Sequence, residues 1–244
     1  MKIFKEIFGR VWALWGLLLF ISTMFIAYIF YIPCHFLKEP QKANWHRSVS
    51  RVWMFFYLNL IGCPLKVIGK EYFKGLTNCV IVCNHNSLMD VPVTTPFMAR
   101  ANKTIAKKSF ASFPIFGWIY SFGSVLVDRK SDKSRRKSFE DMKHVLSIGL
   151  DMVIYPEGSR NKTNKPLTAF HDGAFRLAVD TKKPVVPTLI FNTRKVLPVH
   201  KIFYMLPHKL EMHFLEPVKS INLSSKELKE KVFKQMWNYY EANN

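Results

Sequence analysis

The residues best suited to chemistry share one short run, Asn84-His85-Asn86-Ser87-Leu88-Met89-Asp90. It follows an apolar stretch, so it reads as a polar turn leaving a buried strand and entering a helix. His85 stands five positions before Asp90, where carboxylate and imidazole can meet. An imidazole that takes a proton from an alcohol needs one nitrogen free as acceptor. Its other nitrogen should donate to an anion, which fixes the tautomer and stabilises the imidazolium as it forms. With no covalent nucleophile set beside the pair, a substrate hydroxyl is the natural attacking group. The same spacing also suits a turn histidine beside a helix-capping aspartate, and with eight histidines in the chain a chance pair is easily found.

Two further runs place arginines at strand ends. In residues 123–129, Gly-Ser-Val-Leu-Val-Asp-Arg, the apolar stretch closes on Arg129; in 152–160, Met-Val-Ile-Tyr-Pro-Glu-Gly-Ser-Arg, a strand runs into a glycine-containing turn ending at Arg160. Lys107 and Lys108 follow a third strand candidate. Guanidinium groups present a planar fork that matches phosphate oxygens in pairs, and anion sites form where loops leave strand ends. The alternative is local pairing, Asp128 with Arg129 and Glu157 with Arg160, each an ordinary surface contact.

These groups must be positioned by an alternating framework. Strand candidates are residues 65–68, 80–83, 104–106, 124–127, 152–155, 185–191 and 211–215; helical periodicity marks 137–148, where Phe139, Met142, Val145 and Leu146 share a face. A last helix opens on the capping-box pair Ser224 and Glu227 and buries Leu228, Val232, Phe233, Met236, Trp237 and Tyr240. The alternation predicts an α/β layered domain with a central mixed, largely parallel sheet flanked by helices, over residues 64–244.

Residues 1–63 are of another kind. The run 11–32 is almost uninterrupted apolar sequence. As a helix it spans roughly 33 Å, about one hydrocarbon core. No small-x-small cleavage site follows it, so an uncleaved anchor is preferred to a signal peptide. The run 52–61 is too short to span and suits either an interfacial helix or a helix packed on the domain. Cations lie on both sides of the long run, so the positive-inside rule sets no orientation, and a hairpin dipping into one leaflet fits as well as a single span. The net charge of +19 calls for an anionic partner: nucleic acid, acidic membrane or phosphorylated substrate. No nucleic-acid reader motif accompanies it, so nucleic acid is the least favoured of the three and is not expected as a partner. Cys34, Cys63, Cys79 and Cys83 form no C-x-x-C pair, which argues against a metal site and for reduced core thiols in a cytosol-facing domain.

The blocks NHNSLMD (84–90), FGSVLVDR (122–129), YPEGSR (155–160) and VVPTLI (185–190) resemble, in order and spacing, those of the glycerolipid acyltransferases, a family that includes the 1-acylglycerol-3-phosphate acyltransferases. The resemblance covers residues 64–191. It implies that His85 is the general base and Asp90 its orienting partner, and it puts Arg129 and the turn Glu157-Gly158-Ser159-Arg160 on the acceptor's glycerol phosphate. Asn84 and Lys108 complete the candidate substrate contacts, and Pro187 corresponds to the acyl-donor side. Ser159 stands where the family more often has threonine, which keeps the hydroxyl; His171 and Asp172 replace a commoner basic pair, which alters the local charge.

The implied reaction is transfer of a fatty acyl group from acyl-CoA or acyl-carrier protein to the free hydroxyl of lysophosphatidate, giving phosphatidate. Direct attack is expected, with no acyl-enzyme, metal or bound cofactor. Partners would be membrane lipid, a lysophospholipid acceptor and the acyl donor, at a membrane such as a bacterial inner membrane with the domain on its cytoplasmic face. The rivals are acylation of another lysophospholipid or of glycerol 3-phosphate, and a non-catalytic basic membrane-binding protein.

Overall fold

The computed structural model describes residues 2–243; Met1 and Asn244, the outermost residues of the two expected segments, lie outside the described residues. Two helices come first, α1 (Lys2–Tyr31) and α2 (Gln41–Leu60). Strands and helices then alternate: β1 (Leu65–Ile68), β2 (Val80–Cys83), α3 (Asp90–Thr94), β3 (Asn102–Lys107), α4 (Phe116–Phe122), β4 (Ser124–Val127), α5 (Asp132–Ser147), β5 (Asp151–Ile154), α6 (Gly173–Thr181), β6 (Val185–Phe191), α7 (Thr193–Val196), β7 (Leu210–Phe214) and α8 (Ser225–Asn243).

The sheet has seven strands in the order β1-β7-β6-β2-β5-β3-β4. Every neighbouring pair is parallel except β6 with β7. The expected mixed, largely parallel sheet is therefore present. Its centre is buried at every position of β2, β5 and β6. That double-sided burial is why these strands read as continuous apolar runs rather than alternating ones. On one face the core joins Met142, Val145 and Leu146 of α5 to Phe175 and Leu177 of α6 and to Leu228, Val232 and Met236 of α8. On the other face Met54, Tyr57 and Leu58 of α2 pack with Met89, Val93 and Met98.

Several ends differ from the sequence expectation. Helix α5 starts at Asp132 rather than residue 137, with the Ser131 hydroxyl capping the Ser134 N–H. Its first turns face water and carry no apolar signal. Strand β5 starts one residue early because Asp151 belongs to it, buried and held by Arg100 at 2.9 Å. The capping box of α8 forms as expected, with Ser224 N–H on Glu227 Oε2 at 2.8 Å and Glu227 N–H on Ser224 Oγ at 3.2 Å.

Helices α1 and α2 form a hairpin joined by Trp53 Nε1–H to Thr23 Oγ1 at 2.9 Å and Tyr57 OH to the Gly16 carbonyl at 3.3 Å. Helix α2 is longer than the apolar run 52–61 and packs on the domain. Its Arg47 and Arg51 donate to the carbonyls of Pro96, Met98 and Ala99, so these two cations are engaged by the protein. Helix α1 and its short continuation to His35 are long and apolar enough to cross a membrane, with an 18-residue window of mean hydropathy 2.1. Val11, Leu14, Leu18, Phe25, Ile26 and Ile29 on α1 are exposed.

Candidate active site

The site is built outward from the end of β2. Asn84, fully buried, donates its amide to the Ile190 carbonyl at 3.0 Å and accepts from the Ile190 N–H at 2.7 Å. Both ends of that amide are engaged by β6, so Asn84 locks the end of β2 to its neighbour. The next peptide is pinned on both sides. His85 N–H donates to Glu157 Oε1 at 2.7 Å, and the His85 carbonyl accepts from Asn161 N–H at 2.7 Å.

The imidazole and carboxylate meet as the spacing predicts, with His85 Nδ1–H donating to Asp90 Oδ2 at 2.7 Å. The same oxygen accepts the N–H groups of Asn86 at 2.6 Å and Ser87 at 2.8 Å. Asp90 thus ties the turn at the start of α3 and orients the ring, so one carboxylate oxygen serves both the cap and the imidazole. The Asp90 side chain is fully buried, while that of His85 is 19% exposed. Among the described residues nothing hydrogen-bonds to His85 Nε2, the nitrogen a base would use.

Tyr155 shapes this pair and was not singled out from sequence. Its ring lies 4.6 Å from that of His85, tilted by 35°. Its hydroxyl bonds Thr94 Oγ1 at 2.6 Å, and Thr94 in turn donates to the Asp90 carbonyl at 2.9 Å. Burial, reinforced by Cys83 and Asp90, pushes the Tyr155 phenol far above its ordinary range and keeps it neutral.

The turn after β5 departs from expectation at Glu157. Its carboxylate is buried, with Oε1 on His85 N–H and Oε2 accepting from Thr168 N–H at 2.8 Å and Thr168 Oγ1–H at 2.6 Å. Three protein donors occupy this carboxylate, so in this structure Glu157 ties the His85 backbone to Thr168. Burial raises its pKa above the usual value, opposed by the hydrogen bonds from Thr168 and His85. Gly158 has φ of 69°, and a side chain there would meet the His171 ring at 2.8 Å, two reasons for glycine.

Arg129 does reach this turn, donating to the Gly158 carbonyl. Strands β3 and β4 run parallel with Lys107 level with Val127, so Lys107, Lys108 and Arg129 leave the sheet at one edge. Lys108 and Ser159 are exposed and Arg160 is half-buried. Neither local pair, Asp128 with Arg129 or Glu157 with Arg160, forms among the described residues. Pro187 lies buried inside β6, level with Val82 of β2.

Arg194 is the other contributor that sequence missed. It donates to Asn86 Oδ1 at 3.0 Å and to the carbonyls of Asn161 at 2.9 Å and Thr163 at 2.6 Å. A lone arginine after a strand carries no sequence signal for this. All four cysteines are buried thiols, and burial pushes the Cys83 thiol up, away from the thiolate a nucleophile needs. Among the described residues no group of three or more His, Cys, Asp or Glu side chains is placed to hold a metal ion.

A family model described as Acyltransferase matches residues 64–191. The 1-acyl-sn-glycerol-3-phosphate acyltransferase of Cocos nucifera is 26% identical over 191 residues, covering 78% of this chain and 59% of that protein. The protein of the same name from Saccharomyces cerevisiae is 27% identical over 219 residues, 84% of this chain and 68% of that one. The chain spans only 48% to 59% of the length of its Cocos nucifera, Arabidopsis thaliana and Brassica napus relatives. The crystal structure of the 1-acyl-sn-glycerophosphate acyltransferase PlsC from Thermotoga maritima superposes with a TM-score of 0.81 at 21% identity, over 99% of this chain and 97% of that one, a likeness of fold.

Proposed function

This chain belongs to the acyltransferase family, and from that we propose that it transfers a fatty acyl group from an acyl thioester to the free hydroxyl of 1-acylglycerol 3-phosphate, with His85 as general base. The observation that carries the reading is the His85 Nδ1 to Asp90 Oδ2 contact of 2.7 Å, with Nε2 left open on a backbone pinned from both sides. The relatives named for this acceptor support the choice of lysophosphatidate over another lysophospholipid or glycerol 3-phosphate.

The steps follow from the geometry. Nε2 takes the hydroxyl proton as the acceptor oxygen attacks the thioester carbonyl, while Asp90 holds the tautomer and stabilises the imidazolium. The tetrahedral adduct collapses with loss of the thiolate, which takes the proton back from Nε2 as it leaves. An ester and a free thiol result. No acyl-enzyme is required, in keeping with four buried thiols. Arg129, Lys108, Ser159 and Arg160 meet the acceptor phosphate at the sheet edge. Both lipids reside in a bilayer, and α1 attaches the domain there with its cytoplasmic face to the donor, acyl-CoA or acyl-carrier protein; no metal or resident cofactor enters the scheme.

The test is thiol release by the purified protein, with both donor types against lysophosphatidate, its dephosphorylated analogue, a second lysophospholipid and glycerol 3-phosphate. Turnover should need an acyl thioester, favour lysophosphatidate and vanish in His85→Ala. Equal activity of the variant removes His85 as base; no turnover with any combination leaves a non-catalytic basic membrane protein.

A further inference from the structure

We propose that the loop of residues 198–207, between α7 and β7, is a second membrane-contacting element that inserts Ile202 and Phe203 into an anionic bilayer surface beside α1. Ile202 is 90% exposed, more than any other large apolar side chain among the described residues, and Phe203 is 45% exposed. Phe203 also has φ of 50°, a left-handed conformation that is strained for a non-glycine residue and persists only where its surroundings hold it.

The surroundings do hold it, from both sides. Lys201 ion-pairs with Glu6 of α1, and its ammonium lies 4.1 Å from the Tyr204 ring centre. Tyr204 is buried against Gly9, and Met205 N–H donates to the Gly9 carbonyl at 2.9 Å. The two apolar residues left outward sit between these anchors. Ile3, Phe4 and Ile7 on the same turns of α1 are exposed too, so the apolar surface of α1 continues onto the loop. Lys2, Lys5 and Arg10 are exposed on the first turns of α1, Lys195 and Lys209 are exposed just before and after the loop in sequence, and the carboxylate of Glu6 is taken by Lys201. An apolar tip on segments rich in exposed cations is complementary to anionic lipid.

The loop also touches the catalytic turn. Leu197, at its root, accepts from Ser87 Oγ–H at 2.9 Å, and His200 Nε2–H donates to the Lys162 carbonyl at 3.1 Å. Insertion of residues 202 and 203 would therefore set the height of residues 84–90 above the bilayer. The inference rests on the reading of α1 as the membrane segment.

Because the four native thiols are buried, a surface cysteine can be labelled selectively. The full-length protein carries an environment-sensitive dye at Ile202→Cys, at Ile26→Cys on α1, or at Lys226→Cys on α8, in vesicles of phosphatidylcholine and phosphatidylglycerol. The dye at 202 should shift to the blue and be quenched several-fold by acyl-chain nitroxides, as at 26, while aqueous iodide quenches only 226. Iodide quenching at 202 with lipid quenching at 26 overturns the proposal alone; iodide quenching at both removes the α1 reading with it. In a second measurement, the double variant Ile202→Ser, Phe203→Gly should lose several-fold in turnover of lysophosphatidate in vesicles and nothing with the same lipid dispersed in detergent. An equal loss in both media, or none in either, overturns it.

Discussion

The Arg194 guanidinium donates to the Asn86 side-chain carbonyl at 3.0 Å, joining the segment after β6 to the turn that carries His85. The same group holds the carbonyls of Asn161 and Thr163, and Asn161 N–H holds the carbonyl of His85. One side chain thus fixes three segments around the proposed base without needing to touch substrate.

Arg194→Lys should keep the charge but lose the planar fork, since an ammonium cannot meet three oxygens in that plane. Hydrogen bonds to charged groups are worth about 1.5–3 kcal/mol, so kcat should fall roughly 10- to 100-fold. KM for the acceptor should change little, because the defect lies in His85 placement. A rise in KM with kcat unchanged would instead make Arg194 a binding group.

Asp90 should separate two roles by substitution. Asp90→Asn can still offer one oxygen to the N–H groups of Asn86 and Ser87, so the turn should survive, but the anion behind His85 is gone. General-base catalysis supplies typically 10²–10⁴-fold, and a loss of kcat within that range is expected with little change in unfolding midpoint. Asp90→Ala strands three donors in a buried site and should also destabilise, by about 3 kcal/mol or more. If Asp90→Asn retained wild-type kcat, the carboxylate would be only a cap.

What sequence could and could not show follows from how far apart the partners lie. Strands β2 and β6 were legible because burial on both faces leaves uninterrupted apolar letters. The starts of α2 and α5 were not. Both helices open on polar turns, and α2 buries Ala43, His46 and Ser50, which no hydrophobic count detects. His85 and Asp90 were visible because their contact is local. The protein partners of Asn84 and Glu157 are not legible, because Ile190 and Thr168 lie elsewhere in the chain and a polar letter in a motif looks the same whether it faces substrate or protein.

Glu157 should leave a signature in stability against pH. Burial raises its folded pKa, so the native state binds this proton more tightly than the unfolded chain does. Its contribution is therefore fully present below the ordinary glutamate value of 4.5 and is lost as pH rises through the raised one, at most about 1.4 kcal/mol per pH unit. Denaturation of wild type and Glu157→Gln across pH 4 to 8 should show the wild-type advantage shrinking as pH rises through that window. Activity should fall about 10-fold in the variant, since a glutamine turned to serve Thr168 faces His85 N–H with its own donors. A wild-type advantage that grew with pH would mean that the hydrogen bonds, not burial, control this carboxylate.

Arg129 makes the acceptor phosphate testable at one side chain. It is exposed, and among the described residues it gives one hydrogen bond, to the Gly158 carbonyl. A guanidinium has five N–H donors, so most of the fork is left for a ligand. Phosphate oxygens fit it in pairs, each charged hydrogen bond contributing about 1.5–3 kcal/mol. Arg129→Ala should therefore raise KM for lysophosphatidate roughly 10- to 100-fold and leave the dephosphorylated acceptor nearly unchanged. Arg129→Lys should fall between, because it keeps charge without the paired geometry. The Gly158 contact supplies the internal control: were Arg129 only a brace for the turn after β5, both acceptors would lose equally, and kcat would fall along with affinity.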